Sequence, residues 1–153
     1  MKEYKSNLPQ IELKYKKSND TKKVKISSSN DVLLLSKELF NTDTIEINEE
    51  VIVLYLNRNN NTIGWIRHTS GGLASSIVDI RLILITALNC VAHGIIMLHN
   101  HPSGNINPSD SDKQIVQKLK TACQTLDLVL LDSIIVSPEF DKCYSFADEG
   151  LLY

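Results

Sequence analysis

Sulfur is scarce in this chain. Its three cysteines, Cys90, Cys123 and Cys143, are odd in number, far apart and without a CxxC pair. That excludes a disulfide framework and suits reduced thiols in a cytoplasmic protein. None of the three has a local base pattern beside it, so a thiol nucleophile is not expected. Long apolar runs are missing as well: nothing approaches the roughly 20 residues that a membrane-spanning helix needs. Met1 to Asp20 is polar and lysine-rich, without the apolar stretch of a secretory leader. The expectation is therefore a cytoplasmic protein with no membrane partner. Charge of one sign is lacking too, since the formal net charge is −2, which gives no global pull toward nucleic acid. Repeats and low-complexity tracts are absent.

What is present suits one domain with a real core: 153 residues, 42% hydrophobic and 22% charged. The charge is unevenly spread. Eight of the sixteen Lys/Arg fall in residues 1–25 against three acidic residues, so this segment carries +5 and the remainder −7. We read 1–26 as a basic N-terminal arm with short edge strands at Ile11–Tyr15 and Val24–Ile26, and 27–153 as the folded domain.

Along the domain, Ser27 to Asn30 supplies capping residues for a helix over 31–40, and Asn41 to Thr44 breaks it. Val51 to Leu56 is apolar throughout and β-branched in part, as in a central strand covered on both faces. A turn at 58–61 leads to a partner strand over 62–68, which Ser70-Gly71-Gly72 ends. Apolar positions at helical spacing (Ile80, Ile83, Leu84, Ala87, Leu88, Val91) predict a helix over 78–92 that packs on the sheet, with Gly94 as its terminator. A strand into His101, a helix over 109–125 with Ile115, Leu119 and Ala122 inward, strands within 128–136 and a short strand at 144–146 complete the reading. Alternating helices and strands predict an α/β fold, a mixed β-sheet sandwiched by helices.

The chemistry concentrates between Leu98 and Asp112. In a strand running out of the sheet, residues two apart share a face, so His99 and His101 would present both imidazoles to one point. The loop beyond turns the chain back and brings Asp112 to the same place. Two imidazoles and a carboxylate, with a fourth position left to water, make a catalytic zinc site; a closed structural site would want a further ligand, usually sulfur. Ser109 and Asp112 also form a good helix start, as N-cap and first-turn acid. The two roles can coexist.

His99, His101, Ser109 and Asp112 match, without a gap, the pattern His-x-His, seven residues, Ser, two residues, Asp. This resembles the metal motif of the JAB/MPN (JAMM) metalloproteases. The fuller string HNHPSGNINPSDSDK, with LDLVLLDSIIV and YSFADEG after it, is similar to the RadC branch of that superfamily. The resemblance runs over roughly residues 45 to 153. It implies a JAB/MPN-like (cytidine-deaminase-like) fold and Zn2+ held by His99, His101 and Asp112. It also implies a catalytic glutamate at the entry of a central strand. Alignment on the family pattern Glu-x-Phe-x-Val-Leu-x-Leu selects Glu49, with Glu50 as the alternative, and puts Val51 where the aromatic usually lies. The resemblance further implies that the Ser109 hydroxyl donates to a tetrahedral oxyanion.

Asp132 is a candidate for supporting the ligands, and Arg81 with the 70–72 loop for shaping the cleft. Ser133 departs from the histidine that RadC relatives carry after Leu-Asp. His68 and His93 lie outside the motif. The leading functional expectation is a zinc metallohydrolase that cleaves a peptide or isopeptide bond in a peptide or protein substrate. The alternatives are a DNA-associated accessory protein, in line with the DNA-repair label RadC relatives carry, whose arm (Lys14, Lys16, Lys17, Lys22, Lys23, Lys25) makes weak phosphate contacts, and a non-catalytic MPN scaffold. Intact ligands argue against the scaffold.

Overall fold

Val51 to Leu56 offers only one polar side-chain atom, the Tyr55 hydroxyl, so the strand that contains it can be stable only inside a sheet with both faces covered. In the computed structural model, which describes residues 22–70 and 78–153, that strand is β1 (Glu50–Leu56), buried along its whole length. It lies second in a five-stranded sheet of order β2-β1-β3-β4-β5, with β2 at Thr62–Ser70, β3 at Gly94–Asn100, β4 at Val129–Val136 and β5 at Cys143–Ser145. β1 pairs antiparallel with both neighbours, β3 runs parallel to β4, and β5 returns antiparallel on β4. The sheet is mixed, as expected. The parallel pair is joined through a helix, as parallel strands require.

Strand parity sorts the side chains into two cores. Val51, Val53, Tyr55, Ile95, Met97 and Ile135 face α2 (Ile80–Asn89) and α3 (Asp110–Thr125). Ile52, Leu54, Leu56, Ile96, Leu98 and Ile134 face the other way, toward α1 (Ser29–Leu39) and its Val32, Leu33 and Leu39. The result is three layers, helix on sheet on helices. α1 starts on a capping box: Ser28 accepts from Asp31 N–H and the Asp31 carboxylate accepts from Ser28 N–H. α3 buries Val116, Leu119 and Cys123, with Ile115 half-buried against the same core. Ala122, expected inward, is half-buried but shares a surface groove with Gln114, Lys118 and Thr121 instead.

The predicted 78–92 helix is shorter than its apolar pattern. α2 ends at Asn89, and Leu88 and Val91, read as inward, are 49% and 84% exposed. The stop is a left-handed turn at Val91 (φ 52°), with Ala92 N–H donating to Ala87 O in the arrangement that usually carries glycine. Gly94 does not end the helix. It begins β3, where a Cβ would lie 2.9 Å from Leu131 Cγ, so glycine there lets the Leu131 side chain pack directly on the β3 backbone.

The expected strand at Ile11–Tyr15 lies outside the described residues. Val24–Ile26 makes a single bridge, Lys25 to Asn61, and Ile26 is buried in the α1-side core. Among the described residues, no helix is long and apolar enough to cross a membrane.

Candidate metal centre

β3 delivers the histidines. Odd positions on this strand face α2 and α3, so His99 follows Ile95 and Met97 onto that side, and it is only 3% exposed. His101 lies just past the strand's end and turns back to it: the two Nε2 atoms are 3.1 Å apart. Asp112, in the first turn of α3, approaches both, with Oδ1 3.3 Å from His99 Nε2 and Oδ2 3.5 Å from His101 Nε2. Tetrahedral metal–ligand bonds of about 2.0–2.2 Å place donor atoms about 3.3–3.6 Å from one another. The observed spacings are close to that, so the side chains could hold a small cation with only slight adjustment. Glu49 joins the group: one donor atom from each of Glu49, His99, His101 and Asp112 lies within 4.8 Å of all the others.

The loop between β3 and α3 fixes how these atoms point. His101 Nδ1 donates to Asn105 O at 2.6 Å, which puts the ring proton on Nδ1 and leaves the Nε2 lone pair aimed at the centre. That carbonyl is brought round by a tight turn in which Gly104 N–H donates to His101 O and Gly104 takes φ 75°. Ser109 caps α3. Its Oγ accepts from Asp112 N–H and donates to Asp112 Oδ2 at 2.6 Å, and Oδ2 also accepts from Ser109 N–H at 2.7 Å. Burial raises the Asp112 carboxyl, but its contacts with the His101 and His99 rings when these are protonated, and the hydrogen bond from Ser109, outweigh it and hold the group far below the usual carboxylate range. The Asp112 contact pushes the His101 imidazole above its ordinary 6.5; burial opposes this, and the Asn105 carbonyl adds to it.

The two glutamates at the head of β1 part as strand alternation requires. Glu49 lines a cleft of about 470 Å³ with His99, His101, Asp112, Ser109 and an apolar floor that includes Val51, Met97 and Ile115. Glu50 faces the α1 side, buried, with Oε2 3.3 Å from Arg67 Nε and Oε1 3.5 Å from Thr44 Oγ1. Asn100, between the ligands, also points away from the centre. Its Oδ1 accepts from Glu50 N–H, and its Nδ2 donates to Ile45 O and Asn48 O.

Other candidates are not brought here. Asp132 sits on the opposite face, where it accepts from Ser133 N–H, Ser145 Oγ and Ala147 N–H and so ties β5 and the following turn to β4. Arg81 pairs with Asp79 in solvent, and Gly71 and Gly72 lie outside the described residues. His68 Nε2 accepts from Asp79 N–H at the start of α2. Ser133 is on the site's side of β4, opposite Met97, with a fully buried hydroxyl that has no hydrogen-bond partner among the described residues. Sequence reasoning missed two contributors: the Asn105 carbonyl and the Asn100 amide. The tautomer requirement of a ligating histidine was a signal for the first. The second left none, because its partners are backbone groups about fifty residues away.

The model of the RadC-like JAB domain matches residues 26–151. A protein of Flavobacterium johnsoniae named UPF0758 protein is 42% identical over 127 residues, 83% of this chain and 53% of its own length. One of Chlorobaculum parvum with the same name is 41% identical over 107 residues, 70% of this chain and 47% of its own. The chain thus spans about half the length of the relatives it matches. A five-stranded mixed sheet between helices, with a His/Glu/Asp group at the mouth of its parallel pair, and a family match over most of the sequence lead to one assignment: this chain belongs to the RadC-like JAB domain family.

Proposed function

We propose that this chain is a metallohydrolase of JAMM type, which cleaves peptide or isopeptide amide bonds in a peptide or protein substrate with zinc as its ion. The observation that carries the reading is the convergence of two imidazole Nε2 atoms and the Asp112 carboxylate at ligand spacing, with a further carboxylate, Glu49, in the same cleft. Zinc in such a site lowers the pKa of bound water toward ~7 and polarises a carbonyl oxygen. His99, His101 and Asp112 hold the ion, their directions set by the Asn105 carbonyl and the Ser109 cap.

Glu49 acts as the general base. Its carboxylate accepts a proton from the attacking water and passes it to the amine that leaves, as hydrolysis of an amide requires. Ser109 serves the oxyanion. In the resting arrangement its proton goes to Asp112 Oδ2, and rotation about Cβ–Oγ turns the O–H into the cleft while Asp112 keeps its bond from Ser109 N–H. The apolar floor under the site keeps bulk water from competing.

The test is a cleavage screen on peptide and isopeptide substrates with the zinc-loaded chain, in parallel with metal analysis. Glu49→Gln is expected to retain zinc and lose about 10²–10⁴-fold in turnover. Unchanged turnover in that variant, or wild-type protein that takes up no divalent metal, refutes the proposal.

A further inference from the structure

The glutamate proposed as base does not lie on a strand. Glu49 immediately precedes β1, at the end of an irregular segment that begins after α1. A base must stay within hydrogen-bond reach of its target, so something has to hold this segment in register with the histidines. The ladder between β1 and β3 does not extend that far: its last pair on this side is Val51 with His99.

We infer that Asn100, clamped on Glu50 and the 45–48 turn, is the positioning residue that sets Glu49 against the metal centre. The inference rests on the role proposed for Glu49. Asn100 is fully buried, on the face of β3 away from the cleft. Its Oδ1 takes the Glu50 N–H at 2.7 Å, standing in for the missing ladder bond. Its Nδ2 donates to Ile45 O at 2.7 Å and Asn48 O at 2.8 Å. The amide therefore grips the segment on both sides of the base.

Because Asn100 lies between His99 and His101 in the chain, one residue ties the ligand strand and the base segment together. Any movement of the histidines carries Glu49 with them. Arg67 closes the clamp from outside: its Nε lies 3.3 Å from Glu50 Oε2, and its Nη2 donates to Leu39 O at 2.8 Å, at the end of α1. The side chain of Glu50 is thus fixed on one face while that of Glu49 is presented on the other. An aspartate, serine or alanine at position 100 cannot make all three bonds, since only a carboxamide combines an acceptor with two donors at this length.

The experiment uses the full chain loaded with cobalt(II), whose visible bands report the ligand set and whose pH-dependent change reports the protonic environment of the ion. Wild type, Glu49→Gln, Asn100→Ala and the double variant are compared. Asn100→Ala is expected to keep one cobalt per chain with wild-type bands near neutral pH, because no ligand is touched. Its pH transition is expected to move in the same direction as that of Glu49→Gln, and the double variant to move no further than Glu49→Gln alone. A transition that stays at the wild-type position in Asn100→Ala while Glu49→Gln displaces it overturns the inference and leaves the base assignment standing. An unmoved transition in Glu49→Gln removes the base assignment, and the inference with it. Altered cobalt bands in Asn100→Ala also overturn it, since the residue would then be acting on the histidines. Should Asn100→Ala fail to fold, Arg67→Gln at the half-exposed end of the clamp carries the test: a smaller displacement in the same direction is expected, and none refutes the idea.

Discussion

Metal binding should stabilise this chain by an amount that depends on pH, and the site geometry gives both the size and the sign. A ligand that binds only the folded state at 100 times its dissociation constant adds about 2.7 kcal/mol. For a domain of this size each kcal/mol is worth about 2–4 °C, so zinc should raise the melting temperature by about 5–11 °C at pH 7.5. In the proposed site the ion takes the His101 Nε2 lone pair, but Asp112 stabilises the protonated ring and raises its pKa above 6.5. Protons therefore compete. Below that raised value, each pH unit costs the ion up to tenfold in affinity, about 1.4 kcal/mol.

The metal-free chain responds in the same sense. A histidine whose folded pKa is raised contributes stability that is fully present below its unfolded value, near 6.5, and lost as pH rises through the folded value. The depressed Asp112 contributes above 3.8 and loses that contribution only as pH falls below it. Between pH 5 and 8 the His68 imidazole, held below 6.5 by burial, opposes this trend. It does so in zinc-loaded and metal-free protein alike, so the gap between the two melts follows His101 and should narrow toward pH 5. Scanning calorimetry at fixed free zinc across this range, with His101→Ala as reference, measures it. A shift equal in wild type and His101→Ala, or one that grows as pH falls, refutes the reasoning.

Asp112 is both cap and proposed ligand, and two substitutions separate the roles. Asp112→Asn keeps an acceptor for Ser109 N–H but removes the charge, so metal uptake should fall sharply. The metal-free melt should drop at neutral pH, where the charged carboxylate contributes, and progressively less as pH falls below 3.8. Asp112→Ala should cost about 1 kcal/mol more in chemical denaturation, from the lost reciprocal bond. Val91→Gly removes a β-branched residue from a left-handed turn without losing burial, and should stabilise by about 1 kcal/mol; a decrease in the denaturation midpoint would contradict this. Cys123 is fully buried and its thiol is pushed up to about 11 by desolvation, so a thiol reagent at pH 8 should leave it unmodified until denaturant is added, as peptide mapping can check.

Much of the architecture was readable because it follows from periods. The unbroken apolar run of β1 announces a strand covered on both faces, and the Ser109–Asp112 spacing announces the start of α3. His99 and His101 share a face by the two-residue repeat. The helix end was misread because glycine is only the usual left-handed residue, and here a solvent-facing valine accepts the strain. Apolar side chains at Leu88 and Val91 continued the helical pattern without being buried, so periodicity alone overextended α2. Asp132, in the RadC-like string LDLVLLDSIIV, was a candidate for supporting the ligands, yet it pairs with Ile96, whose side chain faces α1. That face depends on a cross-strand register with an irregularity between Ile95 and Ile96, which no single strand encodes. The choice of Glu49 came from the family pattern; that Glu49 and Glu50 face opposite sides followed from alternation once the strand was placed. What holds the Glu49 segment did not, because an amide bound to distant carbonyls leaves no periodic trace.

The site contains an electrostatic conflict that its residues resolve. α3 points its N-terminus, the positive end of the helix dipole, at the cleft where a cation is proposed to bind, an opposition worth about 0.3–1 kcal/mol. A carboxylate in the first turn reverses the local sign, and Asp112 supplies it without remaining free to swing. Its Oδ2 accepts from the N–H and the hydroxyl of Ser109, which leaves Oδ1 directed at His99. An unrestrained aspartate would lose about 0.5–1.5 kcal/mol of side-chain freedom on ligation; this one is already held when the helix forms. The capping box and the ligand set are therefore not rivals for one side chain. The cap orders the carboxylate, and the ordered carboxylate is what would allow a helix N-terminus to face the proposed metal ion.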